Sequence, residues 1–252
     1  MMPFLDRPLH HPKIVVKDTV QQLAQHVAGI FAEAITDNPS IVLGLATGQS
    51  PVGTYQELVD WHRRRGLDFS RVTSFNLDEY VGLAADHPQS FRYFMQQQLF
   101  DPTNIDPDRT HVPDGTHDDL SEHARQYERA IERAGGIDLQ LLGIGTNGHI
   151  GFNEPGSPPE SRTRVISLSE QTIAANAPYF PSIHQVPRRA ITMGIGTILE
   201  ARQIVMIALG SNKAAAVAEA VAGPVSPSCP ASCLRTHANV TVVLDHEAAA
   251  GL

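Results

Sequence analysis

The chain has 252 residues, 42% of them hydrophobic, and a formal net charge of -8 at pH 7. A chain of this length and composition can form one large α/β domain, or two small ones, around a buried core. The acidic balance argues against a general nucleic-acid-binding surface, which is usually basic. It does not exclude a small phosphorylated substrate, because a pocket can be locally positive.

The sequence also bears on where the protein works. No apolar run approaches the roughly 20 residues that span a bilayer, and the first residues lack the basic start and apolar stretch of a secretory signal. Cys229 and Cys233 are the only cysteines, which fits a reducing compartment. Two cysteines make only half of a usual metal or redox site. We therefore expect a cytoplasmic protein with core or loop thiols, no metal site, and neither nucleic acid nor a membrane as a partner.

Apolar runs that favour strands alternate along the chain with patterns that favour helices. In chain order, strands are predicted at 41–45, 72–76, 137–145, 164–168, 189–194, 203–210 and 239–245. Helices are predicted at 52–65, 90–99, 119–134 and 213–221. The strand at 72–76 leads into an acidic turn, and loops are predicted around 101–117 and 224–230.

This alternation indicates a Rossmann-like α/β fold, with a doubly wound, mainly parallel sheet that has helices on both faces. The sequence shows no internal repeat, low-complexity tract or long polar linker, so we expect a single domain over residues 1–252. In an open α/β sheet, ligands bind beyond the carboxyl ends of the strands. Three polar loops follow predicted strands, and we expect them to share a ligand site.

The first polar loop holds Thr47, Gly48, Gln49 and Ser50, followed by Pro51 at a predicted helix start. Gly48 allows a close backbone approach, and the free N–H groups and dipole of a helix N-terminus favour an anion. The two hydroxyl groups add donors. The loop matches neither a Walker loop nor the GxGxxG fingerprint, and an ordinary capped turn is the alternative interpretation.

The second polar stretch, SFNLDEYVG, places Asp78 and Glu79 at a strand end beside apolar neighbours. A carboxylate that is partly desolvated there has a raised pKa and can serve as a general base. The alternative is a pair of acidic residues at a helix start, stabilised by the helix dipole.

The third stretch, GTNGHIGFNEP, contains Asn147, His149 and Glu154. Histidine titrates near physiological pH, while the amide could fix its tautomer and the carboxylate could orient it. This is a base with orienting partners but without an obvious nucleophile, which favours proton transfer over covalent hydrolysis. The alternative is a structural histidine in a turn.

Several stretches together resemble the glucosamine/galactosamine-6-phosphate isomerase family, and within it the glucosamine-6-phosphate deaminases. They are LGLATGQSP, SFNLDEYVGL, HPQSFRYFM, LLGIGTNGHIGFNEPGS, SRTRVI, QVPRRAITMGIGTIL and LGSNKA. The matches keep the family's order from about residue 41 to residue 244. Related sugar-phosphate lactonases share the glycine-histidine loop but are less similar beyond it.

The resemblance implies conversion of glucosamine 6-phosphate and water to fructose 6-phosphate and ammonia, without a cofactor. It implies that His149 assists ring opening as a general acid or base, with Asn147 and Glu154 orienting it and relaying charge. Asp78 would abstract the C2 proton and return it at C1. Some family members have aspartate at the position of Asn147, which here can hold the imidazole only by hydrogen bonding.

The same resemblance implies that residues 47–50 hold the substrate phosphate, with Lys213 as its cationic partner. The family usually has a phosphate-binding arginine where this chain has Pro178, and the loss should weaken binding. Arg188 or Arg189 is a hypothetical substitute, because both are near in sequence. The change could instead mark a different aminosugar substrate.

A further departure concerns regulation. Some family members bind N-acetylglucosamine 6-phosphate at an allosteric subunit interface. Arg164 fits that pattern, but the lysine expected two residues later is Ile166, so we expect no such activation.

Two other functions and the assembly state stay open. A sugar-phosphate lactonase would not need Asp78, and a non-catalytic sugar-phosphate sensor would need none of the proton-transfer groups. The sequence is compatible with a homo-oligomer.

Overall fold

The computed structural model describes residues 7–252 and places ten strands and seven α-helices in that range. The strands are β1 Lys13–Lys17, β2 Val42–Leu45, β3 Thr73–Asn76, β4 Asp78–Tyr80, β5 Thr110–His111, β6 Leu139–Gly143, β7 Arg164–Ser167, β8 Arg189–Thr192, β9 Gln203–Ala208 and β10 Val240–Asp245. The helices are α1 Val20–Asp37, α2 Val52–Arg65, α3 Phe91–Met95, α4 Leu120–Arg133, α5 Glu170–Asn176, α6 Ile195–Leu199 and α7 Ala214–Ala222. None of these helices is long and apolar enough to cross a membrane.

Seven strands form one sheet in the order β1-β10-β9-β6-β2-β3-β5, and every neighbouring pair is parallel. The chain moves outward from β2 through β3 to β5, then returns to β6 and moves outward the other way through β9 to β10. The predicted doubly wound, parallel α/β fold is confirmed. The direction reverses between β2 and β6, which is where such sheets bind ligands.

Both faces of the central sheet are covered. In β6, four consecutive residues from Leu139 to Leu142 are buried, so side chains pointing to opposite faces are both shielded from solvent. The amphipathic helix α1 buries Leu23, Val27, Phe31 and Ile35 at four-residue spacing in the same core.

A second, three-stranded antiparallel sheet has the order β4-β8-β7. The predicted strands at 164–168 and 189–194 are observed as β7 and β8, but they belong to this separate sheet and not to the parallel one. Asp78 was expected in a turn, but it is the first residue of β4. Leu77 alone separates β3 from β4, and its carbonyl accepts a hydrogen bond from the Met193 N–H at 2.7 Å. The chain therefore passes from one sheet to the other within one residue.

Other element bounds also differ from the prediction. Helix 90–99 is α3 followed by a π-helical turn, Gln96–Phe100. The predicted loop 101–117 contains β5, and β1 and α1 lie in a part of the chain where no element was predicted. The helices predicted at 52–65 and 119–134 closely match α2 and α4.

Candidate active site

The predicted site residues follow four strands that are neighbours in the parallel sheet, β9, β6, β2 and β3. Lys213 follows β9, the loop with His149 follows β6, residues 47–50 follow β2, and Asp78 follows β3. Because the strands are parallel, their carboxyl ends lie at one edge. The structure therefore collects the candidates at that edge, on both sides of the point where the winding reverses.

The loop at 47–50 leads into an uncapped helix. The residue at the N-cap of α2 is Pro51, and no side chain hydrogen-bonds the first-turn N–H groups, so the alternative of an ordinary capped turn is not observed. Gly48 has φ 97°, a conformation that L side chains rarely adopt. The turn thus leaves N–H groups of a 14-residue helix open to an anion.

Three side chains after β6 form one hydrogen-bonded relay. The Nδ2 of Asn147 donates to Oε2 of Glu154 at 2.9 Å. The Asn147 amide oxygen is then directed at His149, 2.7 Å from Nδ1. An amide oxygen can only accept, so Nδ1 of His149 carries the proton. The other ring nitrogen, Nε2, is therefore the unprotonated one that can accept a substrate proton.

The His149 ring lies directly against the backbone of its own loop. A Cβ at Gly145 would be 2.2 Å from Cε1 of His149, so only glycine fits there. Burial lowers the pKa of His149, Glu154 opposes this effect, and the charge of Lys213 lowers the pKa further. These effects favour a neutral imidazole at neutral pH.

The Asp78 carboxyl is buried beside the same loop. Asp78 is only 5% exposed. A Cβ added at Gly151 would lie 3.3 Å from Oδ2 of Asp78. Burial, together with a smaller effect of the neighbouring charge of Glu79, raises the pKa of Asp78 to about 8. A carboxylate with this pKa is a stronger base than a solvated one.

Glu79 has a different environment from Asp78. It accepts N–H bonds from Tyr80, Phe91 and Arg92 at 2.8, 3.0 and 3.0 Å, two of them from the first turn of α3. Burial raises the pKa of Glu79 to about 7, against the lowering effect of these bonds. Both acidic residues lie in β4 rather than at a helix start, but Glu79 accepts N–H groups from the first turn of α3.

Thr192 was missed by the sequence analysis and joins β4 to the histidine loop. It is paired with Asp78 in register across the antiparallel sheet and is fully buried. Its hydroxyl accepts the N–H of Phe152 at 3.2 Å. Its only sequence signal is the RAITMG strand, whose partner could not be known in advance.

An aromatic cluster surrounds Tyr80, which lies two residues after Asp78 in β4. The Tyr80 ring contacts Phe91, Phe152 and Phe180 with centroids 4.9, 5.5 and 5.9 Å apart. Phe152 belongs to the histidine loop and Phe180 follows α5. The cluster packs four separate segments together and shields the neighbouring part of β4 from water.

The structure places the residues at which this chain departs from the family pattern. Pro178 lies exposed in the 3₁₀ turn Ala177–Tyr179. Arg188 is on the surface and its guanidinium is 3.0 Å from Glu170, while Arg189 is also exposed. No contact of either arginine supports the substitution hypothesis. Arg164 donates to Asn153 at 2.9 Å.

The remaining polar candidates do not form a metal site. Within residues 7–252, no cluster of three or more His, Cys, Asp or Glu side chains could hold a metal ion. Cys229 and Cys233 are both buried free thiols, and burial raises both thiol pKa values.

Known proteins are similar to this chain over most of its length. The profile of the family described as glucosamine-6-phosphate isomerases/6-phosphogluconolactonase matches residues 16–243. A glucosamine-6-phosphate deaminase of Rhodopirellula baltica is 58% identical over 232 residues, covering 92% of each chain. One of Thermoanaerobacter pseudethanolicus is 48% identical over 237 residues, covering 94% of each.

Solved structures agree with the sequence relatives. A monomeric glucosamine-6-phosphate deaminase has a TM-score of 0.93 and 46% identity, covering 95% of this chain and 100% of the other. A 6-phosphogluconolactonase of Trypanosoma brucei has a TM-score of 0.75 at 24% identity, covering 97% and 100%, which shows a shared fold. The resemblance seen in the sequence is confirmed, and the chain belongs to the family of glucosamine-6-phosphate isomerases and 6-phosphogluconolactonases.

Proposed function

We propose that the protein converts glucosamine 6-phosphate and water to fructose 6-phosphate and ammonia, and that it needs no cofactor. The observation that carries the proposal is the position of Asp78. Its buried carboxyl, with a pKa of about 8, lies against the loop that holds the His149 relay. A lactonase needs a base to activate water, but it has no C2 proton to move, so a second, desolvated base is most useful in an isomerase.

In this mechanism His149 opens the sugar ring. Its unprotonated Nε2 takes the proton of the anomeric hydroxyl and returns one to the ring oxygen as the ring bond breaks. Asn147 holds the tautomer, and Glu154 fixes the direction of the amide. Since Nδ1–H points to an amide oxygen, the direct hydrogen-bond partner of the imidazole is neutral, and the Glu154 carboxylate lies behind it at 3.9 Å from Nδ1.

Asp78 then carries out the aldose–ketose shift. Its carboxylate takes the proton from C2 of the open chain and delivers it to C1, while a proton of the C2 amino group passes to the C1 oxygen, which leaves an alcohol at C1 and an imine at C2. Water adds to that carbon and ammonia leaves, giving the ketose. Proton transfer by a positioned group contributes about 10²–10⁴-fold to rate.

The phosphate would bind at residues 47–50 and the N-terminus of α2, with Lys213 as the cation. The half-buried Lys213 has a pKa lowered by burial, so a phosphate there would replace lost hydration. The uncapped first turn of α2 supports this assignment. Pro178 contributes no charge, which we expect to appear as weaker binding.

The test is ammonia release from glucosamine 6-phosphate by the parent protein, the Asp78→Asn variant and an Asp86→Asn control. Asp86 is an exposed carboxyl on the same segment, outside the site. Release that the Asp78 substitution lowers at least about a hundredfold, while the control retains it, supports the proposal. No release by the parent protein refutes it.

Three further substrates separate the alternatives. Galactosamine 6-phosphate tests for a different aminosugar, and unphosphorylated glucosamine tests the phosphate cradle. Hydrolysis of 6-phosphogluconolactone that persists in the Asp78→Asn variant, without ammonia release from either aminosugar phosphate, would identify a lactonase. Binding of glucosamine 6-phosphate without turnover of any of them would identify a sensor.

A further inference from the structure

The carboxylate of Glu154 connects the relay to helix α5. Its Oε2 accepts the Asn147 amide, whereas its Oε1 accepts the hydroxyl of Ser169 at 3.1 Å and the hydroxyl of Thr172. Both hydroxyls lie at the start of α5, and neither was predicted as a site residue. A hydroxyl pair spaced three residues apart at a helix start, SEQT, was the available sequence signal.

The hydroxyl groups of Ser169 and Thr172 make different hydrogen bonds. Ser169 is the N-cap of α5, where its Oγ also accepts the N–H of Thr172 at 3.1 Å. Thr172 is 5% exposed, and its hydroxyl makes its closest contact with Glu154. Ser169 therefore stabilises the start of the helix, whereas the Thr172 hydroxyl is directed at the carboxylate.

The position of Glu154 decides which way the relay points. Its Oε2 is 3.9 Å from Nδ1 of His149, less than about 1 Å beyond hydrogen-bonding distance. A carboxylate released on the α5 side could rotate to accept Nδ1–H directly. The Asn147 amide would then lose its acceptor and could present its nitrogen to the imidazole.

We infer that Thr172 is a positioning residue, which acts through Glu154 and Asn147 to hold His149 in the Nδ1–H tautomer and in its reactive orientation. The inference rests on the proposed function and extends it to a residue that does not touch the sugar. The Thr172 hydroxyl donates to Oε1 of Glu154, which leaves Oε2 to accept the Asn147 amide N–H. The amide oxygen of Asn147 then faces Nδ1 of His149 and accepts its proton.

The packing of α5 supports a fixed position for Thr172. The next residue, Ile173, is 1% exposed and belongs to the apolar cluster with Tyr80, Phe152 and Phe180. Since Phe152 lies between His149 and Glu154 in the chain, α5 contacts the loop through both apolar and polar groups. Removing one hydroxyl should therefore change the relay without releasing the helix.

The test compares Thr172→Val, Thr172→Ser and Thr197→Val. The valine variant keeps the shape and removes the hydroxyl, and the serine variant restores it. Thr197 is the matched control, because its buried hydroxyl donates to the Glu128 carboxylate at 2.6 Å outside the site. All three variants are first checked by thermal unfolding.

The first readout is steady-state kinetics with glucosamine 6-phosphate. A hydrogen bond to a charged group is worth about ten- to a hundredfold, so Thr172→Val should lower kcat by that factor and change KM less than about twofold. Thr172→Ser should recover most of kcat. A valine variant no slower than Thr197→Val, or an equal loss in the serine variant, would overturn the inference.

The second readout does not depend on activity. Nitrogen-15 NMR of the imidazoles, assigned by comparison with a His149→Gln variant, reports which ring nitrogen carries the proton. The parent should show His149 protonated at Nδ1, and Thr172→Val should show a changed proton distribution. An unchanged spectrum overturns the inference even if the parent enzyme is active. If the parent releases no ammonia but the spectra differ, the proposed function fails while the positioning role stands.

Discussion

Replacing Asp78 by asparagine should stabilise the folded protein, and the gain should grow with pH. The pKa of this carboxyl is 3.8 in a solvated chain and about 8 in the fold. Between these values the folded state keeps a proton that the unfolded state has released. The carboxyl therefore favours folding below about pH 4, and this contribution is lost as the pH rises through about 8.

The magnitude follows from the two pKa values. One pKa unit corresponds to about 1.36 kcal/mol, so at pH 7 the buried carboxyl lowers the free energy of unfolding by about 4 kcal/mol relative to a neutral group. At pH 5 the same arithmetic gives only about 1–2 kcal/mol. Asparagine has nearly the same shape and does not titrate, so the difference between variant and parent should grow by about 3 kcal/mol from pH 5 to 7.

Urea unfolding followed by circular dichroism at pH 5, 6, 7 and 8 measures this difference. The Asp86→Asn variant, which changes an exposed carboxyl on the same segment, is the control. If the Asp78→Asn advantage is the same at every pH, or if it matches the control, the carboxyl is not desolvated in the fold and the reasoning about its basicity is wrong.

Other substitutions test the remaining parts of the site. Gly145→Ala should lower kcat about a hundredfold, because the new Cβ would displace the His149 ring and a displacement of about 1 Å can cost that much. Gly143→Ala is the control: its Cβ would meet nothing within 4 Å, so it should be tolerated in the same assay. Glu79→Gln should move the rise of kcat/KM near pH 8 to lower pH, because it removes a like charge beside Asp78; an unmoved profile contradicts this. Asn147→Asp should raise the pKa of His149 in an NMR titration, and a lower value would contradict the relay. N-acetylglucosamine 6-phosphate should leave KM unchanged, and a fall would reveal activation.

The parallel sheet was predictable because its inner strands are short, continuous apolar runs. The strand β1 was not found, since it is an edge strand whose residues are mostly exposed and which begins and ends with lysine. Helix α1 did carry a signal, four apolar residues at a spacing of four, which the sequence analysis left unused. Helix α2 was predicted to the residue, and Gly66, in a left-handed conformation at φ 72°, ends it.

The site was predictable up to the loops and not beyond them. Strand ends identified the residues around His149 and Asp78, because parallel strands bring their carboxyl ends together. The antiparallel pairing of β4 with β8 depends on segments far apart in sequence, so Thr192 could not be foreseen, and the apolar neighbours of Asp78 indicated only a partial desolvation of its carboxyl. The roles of the predicted site residues remain predictions until the variants are measured.

The second sheet explains how one chain can hold a basic carboxylate beside a neutral imidazole. Along β4 the side chains alternate, so Asp78 and Glu79 point to opposite faces and meet different surroundings. Glu79 receives three backbone N–H bonds, while Asp78 faces the Gly151 backbone, where any side chain would crowd its Oδ2. A one-residue slip of β4 that moved Asp78 to the place of Glu79 would turn it to the other face and set it among three N–H donors. The register of this short strand, fixed by its pairing with β8, is therefore a requirement of the proposed chemistry as well as of the fold.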